Sequence, residues 1–157
     1  MKRHRRQALQ AGGAWTLLSL VAAAGWLKPG DAAAEAWNKG AFETHSLDET
    51  LKALGGSTPS PSKDIVFFST PDIAENGAVV PIGIKSSVPN TESIAILIEK
   101  NPNMLAAVFD LPRGTDPSLS TRIKMGQTSN VYALVKADGK YYVTSKEIKV
   151  TLGGCGG

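Results

Sequence analysis

Strand-length apolar runs separated by turn residues fill the chain from residue 64 to residue 152, and this pattern constrains the fold more than any other feature. The last run alternates most clearly, with apolar residues at 148, 150 and 152 and polar residues at 147, 149 and 151. Such alternation places one face of a strand in a core and the other in solvent. Seven short runs with this spacing predict an all-β fold, an immunoglobulin-like antiparallel β-sandwich over residues 64–152.

Turn residues set the bounds of the predicted strands. Asn76-Gly77 predicts a turn, and Asp138-Gly139 predicts a hairpin between the last two strands. Pro81 predicts an edge strand or a bulge, because proline has no N–H for a ladder. The seven predicted strands are Ile65–Ser69, Val79–Ile84, Ile94–Ile98, Met104–Phe109, Arg122–Met125, Val131–Val135 and Tyr141–Leu152.

A short helix and a linker are predicted before the sandwich, over residues 35–63. Ser46 and Glu49 have the spacing of a capping box at a helix start. Leucines at positions 47, 51 and 54 fall on one helical face, and two glycines at 55 and 56 end the pattern. We expect a structural helix of two to three turns, followed by a connection rich in serine and proline.

Residues 1–34 have the organisation of an export signal. Lys2, Arg3, Arg5 and Arg6 form a basic start, residues 8–27 carry no charge, and three alanines at 32–34 provide a cleavage site. The Arg5-Arg6 pair resembles a twin-arginine signal, so we expect a periplasmic protein exported by that route. The general secretory route and a retained membrane anchor are the alternatives.

The basic character of the chain belongs to this segment. Residues 35–157 retain 12 basic and 13 acidic side chains, for a net charge of −1. No basic field remains to favour a nucleic acid or an anionic membrane, so we expect neither as a partner after removal of the signal.

The only cysteine, Cys155, lies third from the end of the sequence between two pairs of glycines. Glycine provides no Cβ to shield the sulfur and allows free rotation, so we predict a flexible arm over residues 153–157. Extended chain would carry the thiol about 10 Å beyond Leu152. A buried cysteine, a frayed tail, an intermolecular disulfide and a diglycine sulfur carrier that uses its terminal carboxylate are the alternatives. The predicted arm comprises Gly153, Gly154, Cys155, Gly156 and Gly157.

Motifs of catalysis are missing from the sequence. It has no haem-attachment motif, no second thiol for disulfide exchange and no phosphate-binding glycine loop. His45 is the only histidine after residue 34, so a histidine-based metal site or a Ser-His-Asp triad would have to rest on this one residue. We therefore expect a protein without cofactors that is not itself an enzyme, whose thiol is served by the active sites of partners.

Three segments of the sequence occur together. The first is the terminal pentapeptide around Cys155, behind a predicted sandwich and a twin-arginine-like signal. The other two are internal: Ala74-Glu75-Asn76-Gly77-Ala78-Val79-Val80-Pro81, and Met125-Gly126-Gln127-Thr128-Ser129. In this combination they resemble the SoxY family of thiosulfate-oxidation carrier proteins.

This resemblance implies a substrate carrier in which Cys155 is the covalent attachment site and the four glycines are its swivel. It implies a heterodimer with a SoxZ-like small β-sandwich subunit. It further implies three enzymes as partners: a c-type cytochrome, a manganese hydrolase and a sulfane dehydrogenase, with haem and manganese held by those partners. A Cys155–Cys155 disulfide dimer is also expected in purified protein. The rival interpretations are an adhesion or structural sandwich joined through one disulfide, and the diglycine carrier.

Overall fold

Two short helices open the part of the chain that the computed structural model describes, residues 38–151. A 3₁₀ helix spans Lys39–Glu43, and helix α1 spans Leu47–Ala53. Ser46 caps α1 by accepting a hydrogen bond from the Glu49 N–H at 3.2 Å. The Glu49 carboxylate accepts from the His45 N–H at 3.0 Å, one residue before the cap. The predicted helix start is therefore confirmed, with a capping box that closes on the preceding residue.

The leucine face of α1 packs on the sheet as predicted. Leu51 is buried, and Leu47 and Leu54 are partly buried against the same cluster. The Tyr141 hydroxyl donates to the Leu54 carbonyl at 2.7 Å and satisfies a carbonyl at the helix end. This bond ties α1 to the last strand of the fold.

Nine strands follow, and seven of them correspond to the predicted ones. β5 and β8 are longer than predicted, and β7 begins four residues earlier than its predicted start. The strands are β1 Ser60–Pro61, β2 Ile65–Phe68, β3 Ile73–Ala74, β4 Val80–Ser86, β5 Thr91–Ile98, β6 Leu105–Asp110, β7 Ser118–Ile123, β8 Ser129–Ala137 and β9 Lys140–Val150.

The strands form two sheets, which confirms the predicted all-β sandwich. One sheet has six strands in the order β1-β9-β8-β5-β6, with β3 also paired to β9, and the other has three in the order β2-β4-β7. β8 and β9 form the predicted antiparallel hairpin. The short strands β1 and β3 pair with β9 in parallel, so the sandwich is not purely antiparallel.

Alternate residues of β5 enter two different cores. Ile94, Ile96 and Ile98 are fully buried in the core that also contains the apolar residues of the small sheet. Ala95 and Leu97 point to the opposite face, where the two helices cover the large sheet. Because both faces of β5 are covered, its sequence is a continuous apolar run rather than an alternating one.

Pro81 occupies a different position from the predicted one. β4 is the central strand of the small sheet rather than an edge. The Gly83 N–H points toward β2 and bonds the Thr70 hydroxyl. The backbone nitrogen of Pro81, two residues earlier, lies on the same side of β4. However, the pairing of β4 with β2 only begins at Gly83. The missing proline N–H therefore breaks no ladder bond.

Candidate functional site: the base of the C-terminal arm

The structure describes the residues that hold the start of the predicted arm. Cys155 and the glycines Gly153, Gly154, Gly156 and Gly157 lie outside the described residues, as does the predicted export signal over residues 1–34. The last described residue is Thr151, directly after β9. We refer to residues 146–151 as the arm base.

The outer edge of the arm base is paired with β3. The Lys149 N–H donates to the Asp72 carbonyl at 2.9 Å, and the Thr151 N–H donates to the Ala74 carbonyl at 3.0 Å. Alternate residues of a strand direct their N–H groups to the same side, so both bonds fix one edge of β9. β3 is only two residues long, but it lies where the chain leaves the sandwich.

At the inner edge of the arm base, the last hydrogen bond of β9 goes to a side chain rather than to the backbone of β8. Backbone pairing between β8 and β9 stops at Ser129 and Ile148. Two residues later, the Val150 N–H donates to the Thr128 Oγ1 at 3.0 Å. The threonine hydroxyl thus replaces the carbonyl that a longer β8 would have supplied, and extends the ordered edge of β9.

Gly77 brings the turn after β3 against the arm base. Its carbonyl accepts from the Met125 N–H at 2.7 Å. A Cβ at this position would collide with the Met125 carbonyl oxygen and the Val150 side chain. Only glycine allows so close an approach, so the sequence at this turn is set by packing.

Lys146 fixes the segment that leads into β3. Its ammonium donates to the Thr70 carbonyl at 2.7 Å and forms an ion pair with Asp72 at 3.0 Å. The lysine side chain is 27% exposed, whereas that of Asp72 is 88% exposed. An ion pair with so exposed a partner contributes little, and the bond to the backbone carbonyl is the more important contact.

The two internal segments that resemble the SoxY family meet at the arm base. Ala74 and Gly77 belong to the first segment, and Met125 and Thr128 belong to the second. They contact each other and β9 through the bonds described above. The Asn76-Gly77 pair predicted a turn at this place from the sequence alone. Nothing in the sequence indicated that the two segments would surround the start of the arm.

His45 has a structural role in the described part of the chain. One of its ring nitrogens lies 2.7 Å from the Pro102 carbonyl oxygen. Within residues 38–151, no three His, Cys, Asp or Glu side chains are grouped closely enough to hold a metal ion. No helix in this part of the chain is both long enough and apolar enough to cross a bilayer.

One cavity of the described residues lies at the end of β9 opposite the arm base. It has a volume of about 530 Å³ and is lined in part by Asn90, Glu92, Arg113 and Asp138, beside the β8–β9 hairpin. Nearby, the Glu92 carboxylate raises the pKa of Lys136. β9 begins at Lys140 beside this cavity and reaches the arm base at Lys146, so six residues, about 20 Å of strand, separate the two.

Comparison with known proteins decides the family. A sequence model described as "Sulfur oxidation protein SoxY" matches residues 51–155, which include Cys155 and most of the described sandwich. The chain belongs to the SoxY family.

A solved structure agrees with this membership. The sulfur carrier protein SoxY from Chlorobium limicola f thiosulfatophilum is 37% identical, with a TM-score of 0.61, over 68% of this chain and 96% of that one. A superoxide reductase (neelaredoxin) from Ignicoccus hospitalis has a TM-score of 0.49 at 16% identity, over 55% of this chain and 79% of that one. The second likeness is too low to bear on function. A search of curated proteins found no match.

Proposed function

We propose that this protein is a covalent carrier of sulfur intermediates in periplasmic thiosulfate oxidation, with Cys155 as the attachment site. One observation carries the proposal: the region that matches the SoxY family continues past the sandwich into the glycine-flanked segment and ends at Cys155. The related protein from Chlorobium limicola f thiosulfatophilum is described as a sulfur carrier. The carrier has no active site of its own and depends on enzymes that accept its arm.

The proposed loading step is an oxidative coupling. The Cys155 thiol loses its proton, and its sulfur forms a bond to the sulfane sulfur of thiosulfate. Two electrons leave to a c-type cytochrome, and the product is a cysteine S-thiosulfonate. A manganese hydrolase then adds water across the bond between the sulfane and sulfonate sulfurs, which releases sulfate and leaves a persulfide on Cys155. A sulfane dehydrogenase then oxidises the outer persulfide sulfur to a sulfonate, with oxygen from three waters and six electrons passed to a c-type cytochrome. A second hydrolysis of this cysteine S-sulfonate releases sulfate and restores the Cys155 thiol.

The chain contributes position and reach rather than activation of the thiol. The four residues that follow Thr151, up to Cys155, span at most about 14 Å when extended. The bonds at Lys149, Val150 and Thr151 hold the other end of this segment to the sandwich. A free thiol with a pKa of about 8.5 is only a few per cent ionised at neutral pH, so the receiving sites must supply the activation.

The proposal includes a SoxZ-like small β-sandwich subunit as the heterodimer partner and export by the twin-arginine route. A Cys155–Cys155 disulfide dimer is the side product expected when the arm is free and no substrate is present. It would appear on a non-reducing gel and disappear on reduction.

The proposal is tested by the substitution Cys155→Ser. Purified wild-type protein, incubated with thiosulfate and the partner cytochrome, should gain thiosulfate-derived mass, and the variant should gain none. The melting temperature of the variant should be unchanged, because a solvated tail contributes little to stability. Thiosulfate-derived mass on the Cys155→Ser protein would refute the assignment.

The swivel is tested separately. Gly154→Trp combined with Gly156→Trp places bulk on both sides of the thiol. We expect slower loading at unchanged stability, because narrow sites admit glycine-flanked chain more readily. Loading at the wild-type rate would show that the four glycines are not needed for the arm to enter the active sites of its partners.

A further inference from the structure

The outer face of the small sheet β2-β4-β7 carries apolar side chains in solvent. Val66 is 48% exposed and Phe68 is 37% exposed. Alternation along β2 sends Ile65 into the core and leaves these two residues outside. A solvated face of an antiparallel sheet normally carries polar residues, as β7 does here with Ser118 and Ser120. We call the outward residues of the three strands the small-sheet face.

Phe68 packs against β4 on this face. It pairs with Gly83, and a Cβ on Gly83 would collide with the Phe68 carbonyl oxygen and ring. The ring therefore lies against the backbone of β4. The Thr70 hydroxyl donates to the Phe68 carbonyl at 2.9 Å and accepts from the Gly83 N–H at 3.1 Å. An exposed aromatic fixed before binding loses little entropy when a partner covers it.

The charges of the small-sheet face have one sign. Lys85 lies between Val66 and Ser118, and Arg122 lies opposite Pro81. Both are exposed, and neither forms an ion pair with any residue between 38 and 151. The strands β2, β4 and β7 contain no Asp or Glu.

No carboxylate between residues 38 and 151 forms an ion pair with these cations. Asp64 and Asp116 precede the first residues of β2 and β7, at the Lys85 end. The Asp64 carboxylate lies 3.5 Å from the hydroxyl of Ser62, which donates to it. The face therefore combines an apolar half on β2 with two unpaired cations on β4 and β7.

We propose that the small-sheet face docks the partner subunit of the carrier, and that the contacting surface of that subunit is apolar at its centre and acidic around it. This inference rests on the proposed function, whose SoxZ-like subunit it assigns to a surface. A second copy of this chain would bring the same two cations and no strand carboxylate, so it lacks the complementary charge. Carboxylates opposite Lys85 and Arg122 would also fix the register of docking.

The small-sheet face adjoins the arm base at one end. Val80 pairs with Ile123 at the end of the face where Pro81 and Arg122 lie. Just beyond, the Met125 N–H bonds the Gly77 carbonyl, and Gly77 packs on Val150. A subunit docked here lies next to the point where the arm leaves the sandwich.

The test measures binding of a purified SoxZ-type subunit to the full chain by isothermal titration calorimetry. Val66→Ser and Phe68→Ser should each raise the Kd at least about tenfold, as loss of a central apolar contact does. Val66 takes no part in the contact between Phe68 and Gly83, so Val66→Ser remains informative if Phe68→Ser impairs folding. Lys85→Glu should raise the Kd and weaken its dependence on salt. The matched control is Ile73→Ser, because Ile73 is 56% exposed but lies on β3 in the other sheet.

The following outcomes would overturn the inference, except the last, which would refute the carrier function instead. A Kd unchanged in Val66→Ser and Phe68→Ser, or raised equally by Ile73→Ser, would place the interface elsewhere. Self-association of the wild type that Val66→Ser abolishes would assign the face to a second copy. Absence of any binding, with Cys155 still loaded by the cytochrome, would refute the docking surface and leave the carrier function standing. Failure to load Cys155 despite binding would refute the carrier function alone.

Discussion

The bond from the Val150 N–H to the Thr128 hydroxyl makes a specific prediction for Thr128→Val, which keeps the shape of the side chain and removes the acceptor. Val150 is only partly buried, so water can replace the lost acceptor in part. The net value of such a bond is about 0.5–1.5 kcal/mol. At about 1.4 kcal/mol per factor of ten, local opening of the arm base should become about 2- to 12-fold more frequent.

Amide hydrogen exchange followed by NMR measures this opening residue by residue. The exchange rates of the Val150 and Thr151 amides should rise in Thr128→Val by the same factor, while amides in the centre of β5 keep their protection. A nitroxide label on Cys155 should also report greater mobility.

The control is Thr144→Val, because Thr144 lies on β9 with Val150 and its hydroxyl makes no hydrogen bond within residues 38–151. Unchanged exchange at Val150 and Thr151 in Thr128→Val would refute the assigned role of Thr128. An equal increase in Thr144→Val would show that any threonine on this edge has the same effect.

Three further predictions concern the stability of the fold. Gly77→Ala should lower the free energy of unfolding by about 1–3 kcal/mol in urea, because its Cβ meets the Met125 carbonyl oxygen and Val150. Gly126→Ala, whose Cβ would meet only Asn101 at 3.9 Å, should change it by less than about 0.5 kcal/mol. Ile96→Ala should cost about 2–5 kcal/mol in the same assay, because Ile96 is fully buried between the sheets; a smaller loss would contradict tight packing there. The pKa of Glu49 is lowered below 4.5, chiefly by the hydrogen bond from the His45 N–H. Its contribution to stability is therefore present above that pH and lost as the pH falls through the folded-state pKa, so Glu49→Gln should flatten this part of the curve of unfolding free energy against pH.

Local patterns in the sequence were sufficient to predict the fold. The capping box at Ser46 fixed the start of α1, and Asp138-Gly139 fixed the β8–β9 hairpin. The run at Ile94–Ile98 predicted an inner strand, which the structure confirms with both of its faces covered. Each of these features depends on residues close together in the chain, so a single sequence contains the required information.

Features that depend on a distant partner escaped prediction. β1 and β3 have two residues each and exist because β9 offers a free edge, so no pattern of their own marks them. The start of β7 was misplaced because its outward residues, Ser118 and Ser120, resemble a loop. Thr128 could not be recognised as an acceptor for Val150, because 22 residues separate them and β8 determines their approach.

Sulfur on Cys155 in the native protein is the observation that tests this account most directly. Trypsin cleavage after Lys149 releases the C-terminal peptide from Val150 to Gly157, which contains the only cysteine. Mass spectrometry of this peptide, from protein isolated from cells grown on thiosulfate, should show thiosulfonate or persulfide adducts on Cys155. A peptide that carries only a free thiol or a symmetrical disulfide, while those cells oxidise thiosulfate, would contradict the carrier function.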